Sequence, residues 1–236
     1  MRNHPEAAPN RRAGRTKPRV RKATSGSRSQ GVGQRKGCGL SAPHLHPVDR
    51  WVPDGPLPEA YSRVTDPERF RPLHAMIETL LGELDSSFDV ERTDGYGLDD
   101  ELEASALARP TVTLIPRDAR AAPLVVAFTT FPGIRLRAGH WCTEIFPSCG
   151  CDACSETADG EALRLREMVD NVVAGRFREV ISVPLIGDGW QEWELWSDRG
   201  RRRSRSRIKG KRARAMVASV GRPSIEWAAW ARRRRA

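Results

Sequence analysis

Hydrophobic positions in the middle of the chain recur first with the period of a helix. The stretch Thr65-Asp66-Pro67-Glu68 combines a capping residue with a proline at the first helical position. Apolar residues then follow at intervals of three and four, which is typical of an amphipathic helix. These apolar positions are Phe70, Leu73, Ile77, Leu80, Leu81 and Leu84. The pattern predicts a helix over residues 67–84 whose apolar face packs on a sheet.

The next hydrophobic runs have the short length and the period of strands. They cover residues 111–115, 124–130, 134–137 and 141–146. Short turns such as Phe131-Pro132-Gly133 and Ala138-Gly139 separate them, and short turns connect antiparallel neighbours. We therefore expect an antiparallel β-meander. The preceding residues 91–109 are rich in Asp, Glu and Gly, and we expect them to form a surface loop.

A second helical stripe follows, and Gly175 is placed to end it. Its apolar members are Leu163, Met168, Val169, Val172 and Val173. Two further strands are expected over 177–185 and 191–196, followed by a short helix over 213–220. The predicted fold class is α+β, an antiparallel β-meander packed with two main amphipathic helices and flanked by disordered basic ends.

Charge divides the chain into segments. The first 50 residues carry 12 Lys and Arg against 2 acids, residues 51–198 carry 13 against 27, and residues 199–236 carry 15 against 1. We expect a disordered basic arm at 1–50, an α+β domain at 51–198 and a basic Arg/Ser loop at 199–212. Residues 213–236 are expected to form a C-terminal helix and a tail that dock on the domain, through Ile225, Trp227 and Trp230.

The apolar runs are too short for a membrane helix, which needs about 18 residues or more. We therefore expect no membrane partner. The chain has five cysteines and no recognisable export signal, so a cytoplasmic protein with reduced thiols is expected.

Three of those cysteines, Cys149, Cys151 and Cys154, fall within six residues between a predicted strand and a predicted helix. Thiolates are favoured zinc ligands, and a closed tetrahedral site needs a fourth. Cys142 and His140 are the nearest candidates for that ligand. The alternative is that the thiols only pack the connection, with Asp152 or Ser155 capping the helix.

The longer stretches around these motifs resemble an actinobacterial family of uncharacterised proteins. They are Tyr-Ser-Arg-Val-Thr-Asp-Pro-Glu-Arg-Phe at 61–70, Ala-Phe-Thr-Thr-Phe-Pro-Gly at 127–133, Phe-Pro-Ser-Cys-Gly-Cys-Asp-Ala-Cys at 146–154 and Val-Val-Ala-Gly-Arg-Phe-Arg-Glu at 172–179. The resemblance implies a bacterial cytoplasmic protein whose core begins after the basic arm. It assigns no activity, so no catalytic residue is carried over.

The lack of catalytic motifs favours a non-enzymatic binding or regulatory domain, in which the cysteine turn either holds a structural metal or only packs. The sequence has no nucleotide-binding glycine loop, serine nucleophile elbow or His-Glu metalloprotease helix. One alternative is a thiol–disulfide oxidoreductase using Cys151 and Cys154, because a helix N-terminus lowers a thiol pKa. The other is nucleic-acid binding through phosphate contacts of residues 1–50 and 199–214.

Overall fold

The computed structural model describes residues 55–95, 106–198 and 200–234. The predicted basic arm lies outside the described residues, as do residues 96–105 of the acidic stretch. All of the described residues belong to one unit, His46–Ala236.

Three α-helices are present among the described residues: α1 (Pro72–Ser87), α2 (Ala158–Val173) and α3 (Gly210–Val220). The first predicted helix begins as a 3-10 turn, Pro67–Phe70, and continues as α1 from Pro72. Proline at the first position of α1 fits because it needs no N–H there. Every member of the predicted apolar stripe is buried, which confirms the predicted face of this helix.

Five strands form the first sheet. They are β1 (Val90–Gly95), β2 (Thr111–Pro116), β3 (Leu124–Phe128), β4 (Ile134–Ala138) and β5 (Cys142–Phe146). The sheet has the order β1-β2-β3-β4-β5 and is antiparallel throughout, so the predicted meander is confirmed. The expected surface loop over 91–109 is wrong at its start, because residues 91–95 belong to strand β1. Only Val90 of β1 is buried, and edge pairing with β2 rather than apolar alternation defines this strand.

Four strands form the second sheet: β6 (Phe177–Ser182), β7 (Gly189–Ser197), β8 (Gly200–Ile208) and β9 (Ser224–Glu226). Their order is β8-β7-β6-β9, again antiparallel. The expected Arg/Ser loop at 199–212 is therefore wrong where the structure describes it. Residues 200–208 are a strand, and α3 begins at Gly210.

Opposite charges on β7 and β8 explain this strand. Arg201 pairs with Glu194, and Arg203 pairs with Glu192. Glu194 is only 3% exposed, and its hydrogen bond from Arg201 lowers the pKa of its carboxyl. Cross-strand charge pairs stabilise a sheet, so ion pairing here replaces the apolar alternation that marks most strands.

One buried cluster connects the helices with both sheets. The C-terminal segment contributes to it through Ile225, Trp227 and Trp230, which are all at most 5% exposed. The indole Nε1–H of Trp230 donates to the carbonyl oxygen of Ala122 at 2.9 Å. The three helices and the two antiparallel sheets establish the α+β class. Among the described residues, no helix has the length and apolarity to cross a bilayer.

Candidate metal centre

The cysteine turn lies between the end of β5 and the start of α2. A cis peptide joins Phe146 to Pro147 at the end of the strand. The N-cap of α2 is Thr157, whose Oγ1 accepts a hydrogen bond from the Gly160 N–H at 3.1 Å. The residues expected to cap the helix, Asp152 and Ser155, therefore do not do so.

The segment before α1 holds the turn through its backbone and through Asp152. The Asp152 N–H donates to the Arg63 carbonyl oxygen at 2.8 Å. The Thr65 N–H and hydroxyl both donate to Asp152 Oδ1, at 2.9 and 3.1 Å. These bonds lower the pKa of the Asp152 carboxyl, the Thr65 N–H having the largest effect. Asp152 thus serves as an acceptor that ties two distant parts of the chain together.

Arg69 completes this attachment from the 3-10 turn before α1. Its Nη2 donates to the carbonyl oxygens of Gly150 and Cys151, at 2.9 and 3.1 Å. The ring of Phe131 lies against Gly150, where an added Cβ would lie 2.5 Å from the ring. A side chain at 150 would therefore have to displace the Phe131 ring, and the loop between Cys149 and Cys151 contacts both Arg69 and Phe131.

Three sulfurs converge inside this turn. The Sγ of Cys151 lies 3.2 Å from that of Cys149 and 3.5 Å from that of Cys154. All three lie within 4.8 Å of one another, and none forms a disulfide. Cys149 is exposed, Cys151 is buried and Cys154 is intermediate, so the cluster opens to solvent on the Cys149 side.

Hydrogen bonds favour a thiolate at the centre of the cluster. The bond with Cys149, followed by that with Cys154 and by the backbone N–H groups of Ala153 and Cys154, lowers the pKa of the Cys151 thiol. Burial, together with the two neighbouring cysteines, raises the pKa of Cys154 to about 12. The raised pKa means that the surroundings disfavour a thiolate at Cys154. A bound cation would stabilise that thiolate, because a coordinating thiol loses its proton.

The structure does not bring Cys142 or His140 into the cluster of sulfurs. Cys142 is the first residue of β5, and the cysteine turn follows the last residue of that strand. The length of the strand, about 13 Å, therefore separates Cys142 from the turn. Burial raises the pKa of Cys142 well above its usual value. The ring of His140 packs beside that of Trp227, with 5.1 Å between centroids.

A carboxylate that sequence reasoning missed lies next to the cluster. Glu156 Oε2 accepts a hydrogen bond from the Cys149 N–H at 2.9 Å. Burial raises the pKa of the Glu156 carboxyl, despite that bond. The spacing Cys-x6-Glu was the only sequence signal for this contact, and acids at that spacing are common.

The surroundings of Cys151 and Cys154 differ from those that favour a thiol–disulfide enzyme. Three residues separate Cys154 from Ala158, so the first turn of α2 does not begin at the pair. The strands that precede the turn form an antiparallel meander, whereas a thioredoxin-like motif is expected near a βαβ unit. The turn therefore provides neither the helix N-terminus nor the topology expected of that chemistry.

A cavity of about 470 Å³ lies elsewhere, between α1, α2 and the C-terminal segment. Its charged lining includes Glu83, Arg166 and Asp170, and Arg166 pairs with both acids at 2.8 and 3.9 Å. Arg232 also lines the cavity, so two arginines balance the two acids there. The cavity lining contains neither cysteine nor histidine, so the cysteine turn is the better candidate for a metal site.

The fold and the site together define an α+β protein with two antiparallel sheets and a three-cysteine turn fastened to the segment before its first helix. Residues 45–234 match the model of a family of unknown function, DUF6226, and the chain belongs to that family. No curated protein and no solved structure matches the chain.

Proposed function

We propose that this chain is a non-enzymatic binding domain in which Cys149, Cys151 and Cys154 hold a structural zinc ion. The observation that carries the proposal is the convergence of three Sγ atoms within 4.8 Å. Zinc–sulfur bonds of about 2.3 Å in a tetrahedron separate the sulfurs by about 3.8 Å. The observed separations of 3.2 and 3.5 Å require only small adjustments to reach that geometry.

The surroundings of the sulfurs support a metal rather than simple packing. The three thiols lie together at a turn where only Cys151 is buried, so the solvent-accessible side of the cluster leaves room for a bound ion. The turn is fixed by polar contacts from Thr65 and Arg69. Contacts that fix the backbone around metal ligands keep the ligand side chains in place, and outer contacts of metal sites raise the affinity for the ion.

The fourth ligand in this proposal is Glu156, after a rotation of its side chain. Its carboxylate is already hydrogen-bonded to the Cys149 N–H, and carboxylate oxygen is an accepted zinc ligand. A bound cation would also offset the burial that raises the pKa of this carboxyl. Asp152 is a poorer candidate because Thr65 and Arg69 already engage it.

The experiment measures zinc in the purified, reduced full chain by elemental mass spectrometry. Wild type should carry close to one zinc per chain. The Cys149→Ser and Cys154→Ser variants should carry far less. Cys142→Ala is the matched control, because that thiol is buried outside the cluster, and it should retain zinc.

Chelation provides the second readout. Removal of zinc should lower the melting temperature of wild type and of the control variant. A protein with far less than one zinc, and with a melting temperature indifferent to chelator, would leave the thiols as packing residues. A metal-free protein that forms a reversible Cys151–Cys154 disulfide would instead support the oxidoreductase hypothesis.

A further inference from the structure

The connection between β6 and β7 exposes aliphatic side chains at its tip. We call residues 183–188, Val-Pro-Leu-Ile-Gly-Asp, the aliphatic loop. Leu185 is 100% exposed and Ile186 is 92% exposed, the two highest values among the large hydrophobic side chains of the described residues. Isolated exposed apolar residues are ordinary, whereas Leu185 and Ile186 form a contiguous exposed apolar tip, which is a feature of interaction surfaces.

Basic side chains surround this loop. The Asp188 carboxylate pairs with Arg207 at 2.9 Å and with Lys209 at 3.8 Å, which places both cations beside the tip. The backbone of Gly210 lies directly against the carbonyl oxygen of Gly187, so α3 begins at the loop. The first residues of α3 include Lys211 and Arg214, which are both exposed and lie three positions apart on the helix.

The basic side chains of this region outnumber the carboxylates that lie against them. Residues 200–214 contain nine Lys and Arg and no acid. Arginines of β8 pair with Glu144, Asp188, Glu192 and Glu194, and Lys209 shares Asp188 with Arg207. The cations next to the aliphatic loop are those at the end of β8 and the start of α3, namely Arg207, Lys209, Lys211 and Arg214, of which the first two share the single carboxylate of Asp188.

We propose that the aliphatic loop and the basic residues around it bind the surface of an anionic membrane, with Leu185 and Ile186 inserted among the lipid chains. Stable membrane attachment generally needs two signals, an apolar one and a basic one. This surface has both within one loop and its neighbours. The sequence predicted no membrane partner because it lacks an apolar run of about 18 residues, and a short apolar loop contributes no such run.

Two other occupants fit the surface less well. A nucleic acid would use the cations, but Leu185 and Ile186 have neither a ring face for base stacking nor a hydrogen-bonding group. A protein partner would need a groove for a convex apolar tip. An anionic bilayer matches both the charge and the protruding apolar shape.

The test is sedimentation of the full chain with vesicles of neutral phosphatidylcholine, and with vesicles containing about 30% phosphatidylserine. We expect binding to the anionic vesicles that weakens with added salt. The double variant Leu185→Ser with Ile186→Ser should lose about tenfold or more in partitioning, because it removes the inserted apolar area. Lys209→Glu with Lys211→Glu should lose at least as much.

Matched controls distinguish binding through this surface from nonspecific attraction of the basic arm, residues 1–50, to anionic lipid. Leu163→Ser removes an exposed leucine from α2, where that residue is 58% exposed, and should leave binding unchanged. Arg117→Glu with Arg120→Glu reverses the same amount of charge far along the sequence, and should have a small effect. Melting temperatures confirm that each variant is folded.

Three results would overturn the proposal. One is the absence of binding to anionic vesicles. Another is a Leu185/Ile186 double variant that binds as well as wild type, since the arm would then account for all of the attraction. The third is binding to a single-stranded oligonucleotide that depends on Lys209 and Lys211 while vesicle binding does not, which would identify the surface as a nucleic-acid interface.

Discussion

The carboxylate of Glu179 is buried in the core and accepts four hydrogen bonds. The backbone N–H groups of Trp141 and Cys142 donate to Oε1, each at 2.6 Å. The His140 N–H and the Trp227 indole N–H donate to Oε2, each at 3.0 Å. Glu179 therefore connects β6 with the turn before β5 and with the C-terminal segment, and no sequence pattern indicated this role.

We expect Glu179→Gln to destabilise the protein by about 1–3 kcal/mol, because the new amide turns its own N–H groups toward two buried donors. Burial raises the pKa of Glu179 above its usual value. A raised folded-state pKa gives stability that is full below the unfolded pKa and is lost as pH rises through the folded value. The penalty of the variant should thus be larger at pH 5 than at pH 8 in urea unfolding.

The matched control for this prediction is Glu91→Gln, which changes an exposed carboxyl on β1. It should alter the free energy of unfolding by less than about 0.5 kcal/mol. A Glu179→Gln variant as stable as wild type at both pH values would show that the four donors do not depend on this carboxylate.

At the scale of elements, α1 was predictable because its apolar stripe follows the helical period. Ile77 is 2% exposed, so we expect Ile77→Ala to lower the free energy of unfolding by about 2–5 kcal/mol. The neighbouring Met76 is 37% exposed, and Met76→Ala should cost much less. Equal effects of the two substitutions in denaturant titrations would mean that the helix does not present this face to the core.

Strand β8 was not predictable from its own residues, because an Arg/Ser run has the composition of a disordered segment. It becomes a strand through pairing with the acidic residues of β7, which lie before it in the sequence. The same limit applies to β1, whose polar residues pair along the edge of β2. The pattern of apolar residues predicts which residues are buried. It does not predict strands that form through charge pairing with a neighbouring strand.

Amide hydrogen exchange tests the pairing of β8 directly. Because β8 is an edge strand, roughly alternate amides in residues 200–208 should be hydrogen-bonded to β7 and exchange slowly. The remaining amides should exchange rapidly. Uniformly fast exchange across 200–208 at low salt would contradict the described strand and would support the loop expected from composition.

At the scale of the whole molecule, the cysteine turn depends on residues that lie about 80 positions earlier in the chain. Its three cysteines were recognisable from sequence because they are adjacent. Arg69 and Thr65 were not, because only folding brings the two segments together. Cys142, the fourth ligand expected from the sequence, lies away from the turn because the extended strand β5 separates them.

We expect Arg69→Met to weaken zinc binding by about tenfold, since loss of a residue that positions metal ligands typically costs about 10–100-fold in metal affinity. Arg71→Met is the control, because Arg71 is exposed and pairs only locally with Glu68. Competition with a zinc-binding dye measures both affinities. Equal affinities in the two variants would show that the contacts of Arg69 with Gly150 and Cys151 do not support the site.

X-ray absorption at the zinc edge of the purified protein tests the central claim most directly. The proposed site predicts a shell of three sulfurs at about 2.3 Å and one oxygen at about 2.0–2.2 Å. The oxygen contribution should change in Glu156→Gln while the three sulfurs remain. A shell with only nitrogen and oxygen, or with fewer than three sulfurs, would contradict a zinc ion held by Cys149, Cys151 and Cys154.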